Sequence, residues 1–419
     1  NTRDPWLWPF ASDSIWNTPI GSNANYQPAG FQDAGGSGTD KEYFIKTTTS
    51  DPYRTVYYPG PNTDRDSGTT VSWLGSMRVP DNLYIADSTT NPYYTPNAVS
   101  TFLQPDCISL IQLQPTTRTT NGGTIWGYPQ TGDNAGGHLF SSDGKYGTHY
   151  GSGLSGIGGS IRPGELTSSN PIRHVLKINV WAAKYLYYSS SDSTPGYRWP
   201  AKNADNYANG NYAGTNPKLE QGSLLAIPWS TNIDNLGLSS NKAKKLAWTL
   251  KHFGAYITDD SGHNVYDFCI DNAAAGEWDI STSDVNKLMK ALSIVDNNGP
   301  SSVGGGGTPR YGAAPPLSGV MSNQGLEAQQ YNTQTPSGWS EWSDNGGADA
   351  SFTESYGGSY SGGYHGTHWK NSAYRVYTYQ TKTGLANGWY TLRCWAKRGS
   401  GQNACYLEAK DFGGSAKTA

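Results

Sequence analysis

The residues best suited to chemistry gather in two places. Asp259 and Asp260 follow the apolar run AYIT, and the Gly-rich stretch GTHYGSGLSGIGGSIRPGEL, residues 147–166, holds His149, Tyr150, Arg162 and Glu165, with Arg173 and His174 close behind. Hydrolysis of a glycoside needs two carboxyls flanking one bond, about 5–5.5 Å apart for retention and farther for inversion. Glu165 with Asp259 or Asp260 is the best supply. Elimination from a uronate-containing chain is a second chemistry, needing a group that neutralises the carboxylate and a base that takes a proton. His149, Tyr150, Arg162, Arg173 and His174 would meet that need without an acid. A protein that only grips a glycan is the third class.

Other chemistries fit less well. Gly151, Gly153 and Gly156 match G-x-G-x-x-G, but a dinucleotide site needs a buried strand before the first glycine and a helix after the third. Polar HLFSSDGKYGTHY precedes the motif and Pro163 follows it, so neither is expected. Ser155 is followed by Gly156 and Ile157, which breaks the nucleophile-elbow pattern. His365 and His368 form an H-x-x-H in a Gly/Tyr-rich stretch that reads as a surface loop. The segment NADNYANGNY, residues 203–212, offers oxygen ligands without the glutamate of an EF-hand. No cofactor and no catalytic metal are expected, and structural calcium is the one ion the composition accommodates.

These residues need a β-rich scaffold to hold them. Short apolar runs at 55–58, 107–113, 174–182, 184–188, 224–227 and 255–257 are separated by Gly, Pro and Asn clusters and read as strands. Two helices follow. Residues 241–253 place Ala243, Leu246, Ala247, Leu250 and Phe253 on one face, with Ser239 or Ser240 as cap; residues 283–292 do the same with Val285, Leu288, Met289 and Leu292, with Ser281 or Ser283 as cap. The expected fold class is mainly β: a sandwich- or jelly-roll-like catalytic domain over 1–300, a Gly/Pro/Ser-rich linker or surface wrap over 301–319, and a second jelly-roll module over 320–419.

The 419 residues include 52 Gly, 29 Tyr and 15 Trp but only 15% charged residues, a mixture that suits tight turns and aromatic surfaces on which sugar faces stack. Thirty basic and 33 acidic residues build no field for nucleic acid or anionic lipid, and no apolar run reaches the ~18 residues of a membrane span. A polysaccharide partner, a monomer and no membrane insertion are expected. The start at Asn1 fits export. WYTLRCWAKRGSGQNACYLEAK reads as a hairpin with Cys394 and Cys405 equidistant from its turn, where a disulfide would form unless both remain reduced thiols; Cys107 and Cys269 allow a second bridge that spacing does not decide.

Two resemblances add to this reading. SDSIWNTPI, GIGGSIRPGEL, PIRHVLKINVWAAKYLYY, GYRWPAKNAD, QGSLLAIP and LKHFGAYITDDSGHNVYDFCIDNAAAGEWD together resemble a family of secreted bacterial proteins. That pattern implies roles for Asp13, Trp16, Asn17, Arg173, His174, Trp199, Asp259, Asp260 and Asp271. QGLEAQQYNTQTPSGWSEW and YRVYTYQTKTGLANGWYTLRCWAK resemble a galactose-binding-like carbohydrate-binding module, shortened at its end. The combined expectation is a secreted glycoside hydrolase that degrades a polysaccharide. Glu165, Asp259, Asp260, His174 and His149 would be catalytic, and Asp13, Trp16, Asn17, Tyr150, Arg162, Arg173, Trp199 and Asp271 would bind substrate.

Overall fold

The computed structural model describes residues 4, 6–61, 65–68, 71–89, 97–105, 109–129, 139 and 144–311, then 321–323, 326, 328, 331–344, 350–355, 364–384, 392, 394 and 396–418. Two compact units divide at Leu317 and Ser318. The chain is mainly β, as expected. Twelve strands of the first unit form one mixed sheet: β1 (Tyr26–Pro28), β2 (Gly36–Lys46), β3 (Tyr53–Tyr57), β4 (Ser72–Arg78), β5 (Ser100–Leu103), β6 (Leu110–Thr117), β7 (Ile125–Pro129), β8 (Leu176–Val180), β9 (Leu224–Ala226), β10 (Ala255–Asp260), β11 (Val265–Asp271) and β12 (Ser293–Val295). Their order is β1-β12-β9-β10-β8-β11-β2-β5-β6-β7-β3-β4.

Side chains of the central strands sort by the two-residue period. Leu176, Ile178 and Val180 of β8, Ile257 of β10 and Phe268 and Ile270 of β11 join one apolar core. Helices α3 (Asn241–His252) and α4 (Thr282–Ala291) close it with Leu246, Ala247, Leu250, Val285, Leu288 and Met289. Both helices lie where the amphipathic spacing places them. Ser240 Oγ accepts from the Ala243 N–H and Ser281 Oγ from the Asp284 N–H, satisfying donors that each first turn leaves open.

On the opposite face the alternate residues are polar: Asp40 and Glu42 of β2, Lys177 and Asn179 of β8, Cys269 of β11. Asp259 reaches this side through an irregularity in the β10 register between Ile257 and Asp259, the kind of bulge that re-aims a side chain. The sheet also curls over this face. β6 is five strands from β10 in sheet order, roughly 24 Å if the sheet were flat, yet Gln114 Nε2 of β6 donates to Asp259 Oδ2 at 3.0 Å. That closure is consistent with a sandwich- or jelly-roll-like fold and encloses the polar side chains.

One local expectation changes, and two features join it. Residues 184–188 are not a strand; α1 (Ala182–Tyr185) begins there, its first N–H held by Asp260 Oδ1 at 2.9 Å, with α2 (Ala208–Asn211) later in the same region. The polar segment 36–46 is the eleven-residue β2, which lacks the apolar alternation that marks a strand. Residues 299–311 lie against 20–25: Gly21 and Ser22 N–H groups donate to Gly304 and Thr308 carbonyls, and Arg310 N–H to the Ile20 carbonyl.

In the second unit β13 (Ser340–Ser343) pairs with β16 (Val376–Tyr379) and β14 (Ser351–Glu354) with β15 (His365–His368). The expected H-x-x-H loop is therefore strand, with His368 Nε2 2.9 Å from Thr378 Oγ1. Trp342 stacks on Tyr377 with centroids 4.9 Å apart, and both rings are exposed. Cys394 and Cys405 are free, exposed thiols, not a disulfide. Residues 394 and 396–407 take irregular backbone, and the strand that follows them, β17 (Glu408–Ala409), pairs downstream with β18 (Lys417–Thr418), so no ladder faces one cysteine with the other. Cys269 is a buried free thiol; Cys107 lies outside the described residues.

Candidate functional site

The polar face builds a closed cluster at its centre. Lys177 Nζ is fully buried and donates to Glu42 Oε1 at 2.7 Å and to the carbonyls of Ser155 and Gly156 at 3.1 and 3.0 Å. Ser160 Oγ donates to the second Glu42 oxygen. His149 Nε2 is 2.7 Å from Glu42 Oε1. Burial alone would push the Glu42 carboxyl up, but Lys177 and His149 outweigh it and hold it below its usual range. Beside it, burial and the Glu42 charge push Asp40 up to about 7. Asp40 therefore stays neutral through weakly acidic pH, accepting from Asn179 Nδ2 at 2.9 Å. Glu42, His149 and Cys269 bring three ligand atoms within 4.8 Å of one another, a spacing that would suit a metal. Lys177 Nζ, 2.7 Å from Glu42 and 3.1 Å from His149, already supplies the cation there.

The cluster opens toward the C-terminal end of β10. His149 Nδ1 is 3.7 Å from Asp259 Oδ2, and the Asp259 side chain is 7% exposed. Its Oδ1 accepts from the Asp260 N–H at 2.9 Å and its Oδ2 from Gln114. A Cβ on Gly151 would lie 2.6 Å from Asp259 Oδ1 and 2.9 Å from Gln221 Nε2, so only glycine lets the loop pass this close.

Around the opening stand Asp205, Asp260, Tyr207, Tyr212, Asn203 and Tyr150. Tyr212 Oη donates to Asp205, and Gln221 Nε2 donates to Tyr212 Oη at 3.0 Å. Burial, then the nearby Asp259 charge and that of Asp260, push Asp205 up to about 7. Asp260 holds the surrounding backbone in place. Its Oδ1 accepts from the Ala182 and Gly262 N–H groups, and its Oδ2 from Tyr207 and Asn211 at 3.3 and 3.5 Å. Tyr150 is 45% exposed and continues an aromatic row, its ring 6.3 Å from Tyr128, which lies 5.0 Å from Tyr58.

Of the residues singled out in the sequence, His149, Tyr150, Asp259 and Asp260 come together here. Glu165 and His174 do not. His174 precedes Asn179, the partner of Asp259, by five positions, roughly 16 Å along the strand direction at ~3.3 Å per residue. There Glu165 Oε2 accepts from its own turn, at the Arg162 N–H, and lies 3.1 Å from His174 Nε2. Asp271, at the same end, caps a turn through the Ala273 N–H. Arg162 is buried with its guanidinium 3.9 Å over the Phe44 ring and 3.6 Å from Asp271, and Nη2 donates to the Trp6 carbonyl.

Most of the expected sugar contacts are structural as well. Trp16 is buried, donates through Nε1 to the Gly144 carbonyl at 2.8 Å and meets Tyr256 edge-on, so its ring faces offer no platform. Asn17 Nδ2 binds the Pro9 and Ala11 carbonyls. Arg173 lies over Tyr311, and Trp199 packs against the apolar cluster to which Trp16 belongs. Asp13 is exposed.

Sequence reasoning missed Glu42 and the roles of Lys177 and Asp205. The available signal was Lys177 itself: a lysine inside LKINV, flanked by residues of a buried strand, requires a buried anion. Among the described residues no helix is long and apolar enough to cross a membrane. The chain matches no family model, no curated protein and no solved structure, so the reading of function rests on the chemistry of this opening.

Proposed function

We propose that the first unit is a glycoside hydrolase acting on an extracellular, uncharged polysaccharide, with Asp205 as general acid and Asp259 as its ionised partner. The observation that carries this reading is the contrast between two neighbouring carboxyls. Asp205, raised to about 7 by burial and by Asp259, is still protonated in about half the molecules at neutral pH and in most of them below it. Asp259 is surrounded by donors: Gln114 Nε2, the Asp260 N–H and the His149 side. Pairs whose environments separate their protonation states divide the acid and base roles of glycoside cleavage. Asp205 gives its proton to the glycosidic oxygen as the bond to the anomeric carbon breaks. Asp259 faces the positive charge that develops on the sugar ring, water adds to the anomeric carbon, and the proton it sheds returns to the carboxyl pair. Tyr150, with Tyr128 and Tyr58 behind it, offers an apolar face to an adjoining sugar.

Elimination fits the same opening less well. Asp259 and Asp260 would repel a uronate carboxylate, and His149, the expected base, is completely buried. Glu165, the other expected carboxyl, is replaced by Asp205 in this reading. In the second unit, the exposed Trp342 and Tyr377 pair supports a glycan-binding role.

The test is product analysis on a panel of neutral and uronate-containing polysaccharides. New reducing ends without ultraviolet-absorbing unsaturated products are expected, and Asp205→Asn and Asp259→Asn are each expected to lower the rate by ~10²-fold or more. Unsaturated uronate ends would establish a lyase instead, and a panel left uncut by the native protein would leave binding as the function.

A further inference from the structure

Lys177 settles which ring nitrogen of His149 carries a proton at the Glu42 side. An ammonium has three N–H groups, and those of Lys177 point to Glu42 Oε1 and to the Ser155 and Gly156 carbonyls. None remains for His149 Nε2, although that nitrogen is 3.1 Å from Lys177 Nζ. The 2.7 Å contact between His149 Nε2 and Glu42 Oε1 is therefore a bond in which the ring nitrogen donates. The other nitrogen, Nδ1, is buried, has no hydrogen-bond partner, and faces Asp259 Oδ2 at 3.7 Å. A bare lone pair there would confront a carboxylate oxygen and be repelled. An N–H there would attract it and would close to a hydrogen bond with a small movement of either side chain.

We propose that His149 is a positioning residue for Asp259: an imidazolium, clamped from behind by Glu42, that closes an N–H on Asp259 Oδ2 and fixes the carboxylate toward the opening. This rests on the reading of Asp259 as the ionised carboxyl of a hydrolase. The charges on every packed element are consistent with it. From β2 come Glu42, an anion, and Asp40, neutral below about 7; from β8 the Lys177 cation; from β10 Asp259. Cys269 of β11 stays a thiol because burial pushes it up. Two cations then balance two anions in a closed space, whereas a neutral imidazole would leave one buried anion in excess. Burial and Lys177 oppose protonation of His149, but Asp259 and Glu42 prevail and raise it overall.

The decisive measurement is a pH titration of the seven histidine side chains of the native protein by ¹⁵N-resolved NMR, with His149 assigned by His149→Gln. The expected result is one imidazole that keeps both nitrogens protonated above the usual histidine range, and whose titration moves down in Asp259→Asn. A His149 that is neutral at pH 6–8, with Nδ1 bare, would overturn the proposal, and it would do so whether or not the glycan panel is cut. That readout needs only the native fold, so a failure of His149→Gln to fold leaves it intact, because Asp259→Asn can make the assignment. Where the panel identifies a substrate, His149→Gln is further expected to lower kcat by ~10-fold or more with KM within about twofold, and to narrow the pH profile from its acidic side. Unchanged kcat with an unchanged profile would overturn the positioning role while leaving Asp205 and Asp259 as the hydrolytic pair.

Discussion

The two faces of the central strands β8, β10 and β11 are built from alternate residues of the same segments, yet they are held together by different physics. On one face Leu176, Ile178, Ile257 and Phe268 meet α3 and α4 through non-directional apolar burial. On the other, Lys177, Glu42 and His149 depend on one another's protons and charges, with little room for substitution. The apolar face tolerates a changed shape at a graded cost. The polar face fails when one partner is removed, because the other is left charged and dry.

The comparison breaks most sharply at Lys177. Lys177→Met leaves Glu42 without its cation, and a loss of ~3–5 kcal/mol in denaturant unfolding is expected, enough to prevent folding at moderate temperature. Glu42→Gln together with Lys177→Met is expected to recover a large share of that loss. A double-substituted protein no more stable than Lys177→Met alone would count against the pair as the centre of the cluster. On the apolar face, Leu250→Ala is expected to cost ~2–4 kcal/mol, with catalytic parameters unchanged in the protein that remains folded.

The pH dependence of stability separates the faces without a substitution. Asp40 and Asp205 hold protons up to about 7 in the folded chain, whereas both would ionise near 4 when unfolded. The folded state thus binds more protons between those values, and stability falls as pH rises from about 4 to 7. Glu42 works in the opposite sense, its contribution being lost as pH falls through its lowered value. Thermal unfolding is expected to show a maximum near pH 4 and a lower midpoint at pH 8. Asp205→Asn should flatten part of that decline while abolishing activity, the mark of a group kept for chemistry at the expense of stability. A midpoint that rises steadily from pH 5 to 8 would contradict this assignment.

Smaller effects sharpen the location of the opening. Gly151→Ala would push its new methyl into Asp259 Oδ1 and Gln221, so a fall in kcat of ~10-fold with a modest stability loss is expected. Glu165→Gln, at the far end of the same sheet, is expected to leave kcat within about twofold. A larger fall would restore Glu165 as a reacting carboxyl.

How far these features could be read from the sequence follows the same division. α3 and α4 were legible because Leu246, Leu250, Val285 and Met289 recur at helical spacing and Ser240 and Ser281 precede them, all local information. Asp259, Asp260, His149 and Tyr150 were legible as reactive types near apolar or Gly-rich runs. Glu42 was not, because it lies 135 positions from Lys177 and 107 from His149, and nothing near it in the chain reveals either partner. Trp16 and Asn17 misled for a related reason: an aromatic beside an amide suits a sugar site or a packed corner equally, and only the packing distinguishes the two. Residues 184–188 read as a strand from their Tyr and Leu content, but Asp260 Oδ1 binds the Ala182 N–H and starts a helical turn instead.

The distance along the chain between Glu42 and its partners also bears on how the molecule is made. β2 is synthesised long before Lys177 emerges, so Asp40 and Glu42 spend that interval as charges within an unpaired strand. Such charges discourage premature pairing of its edges with a neighbouring chain. The bond to Lys177 is a late, non-local contact of the kind that slows folding. The pair that neutralises Glu42 in the finished protein thus leaves it exposed as a guard against aggregation in the nascent one.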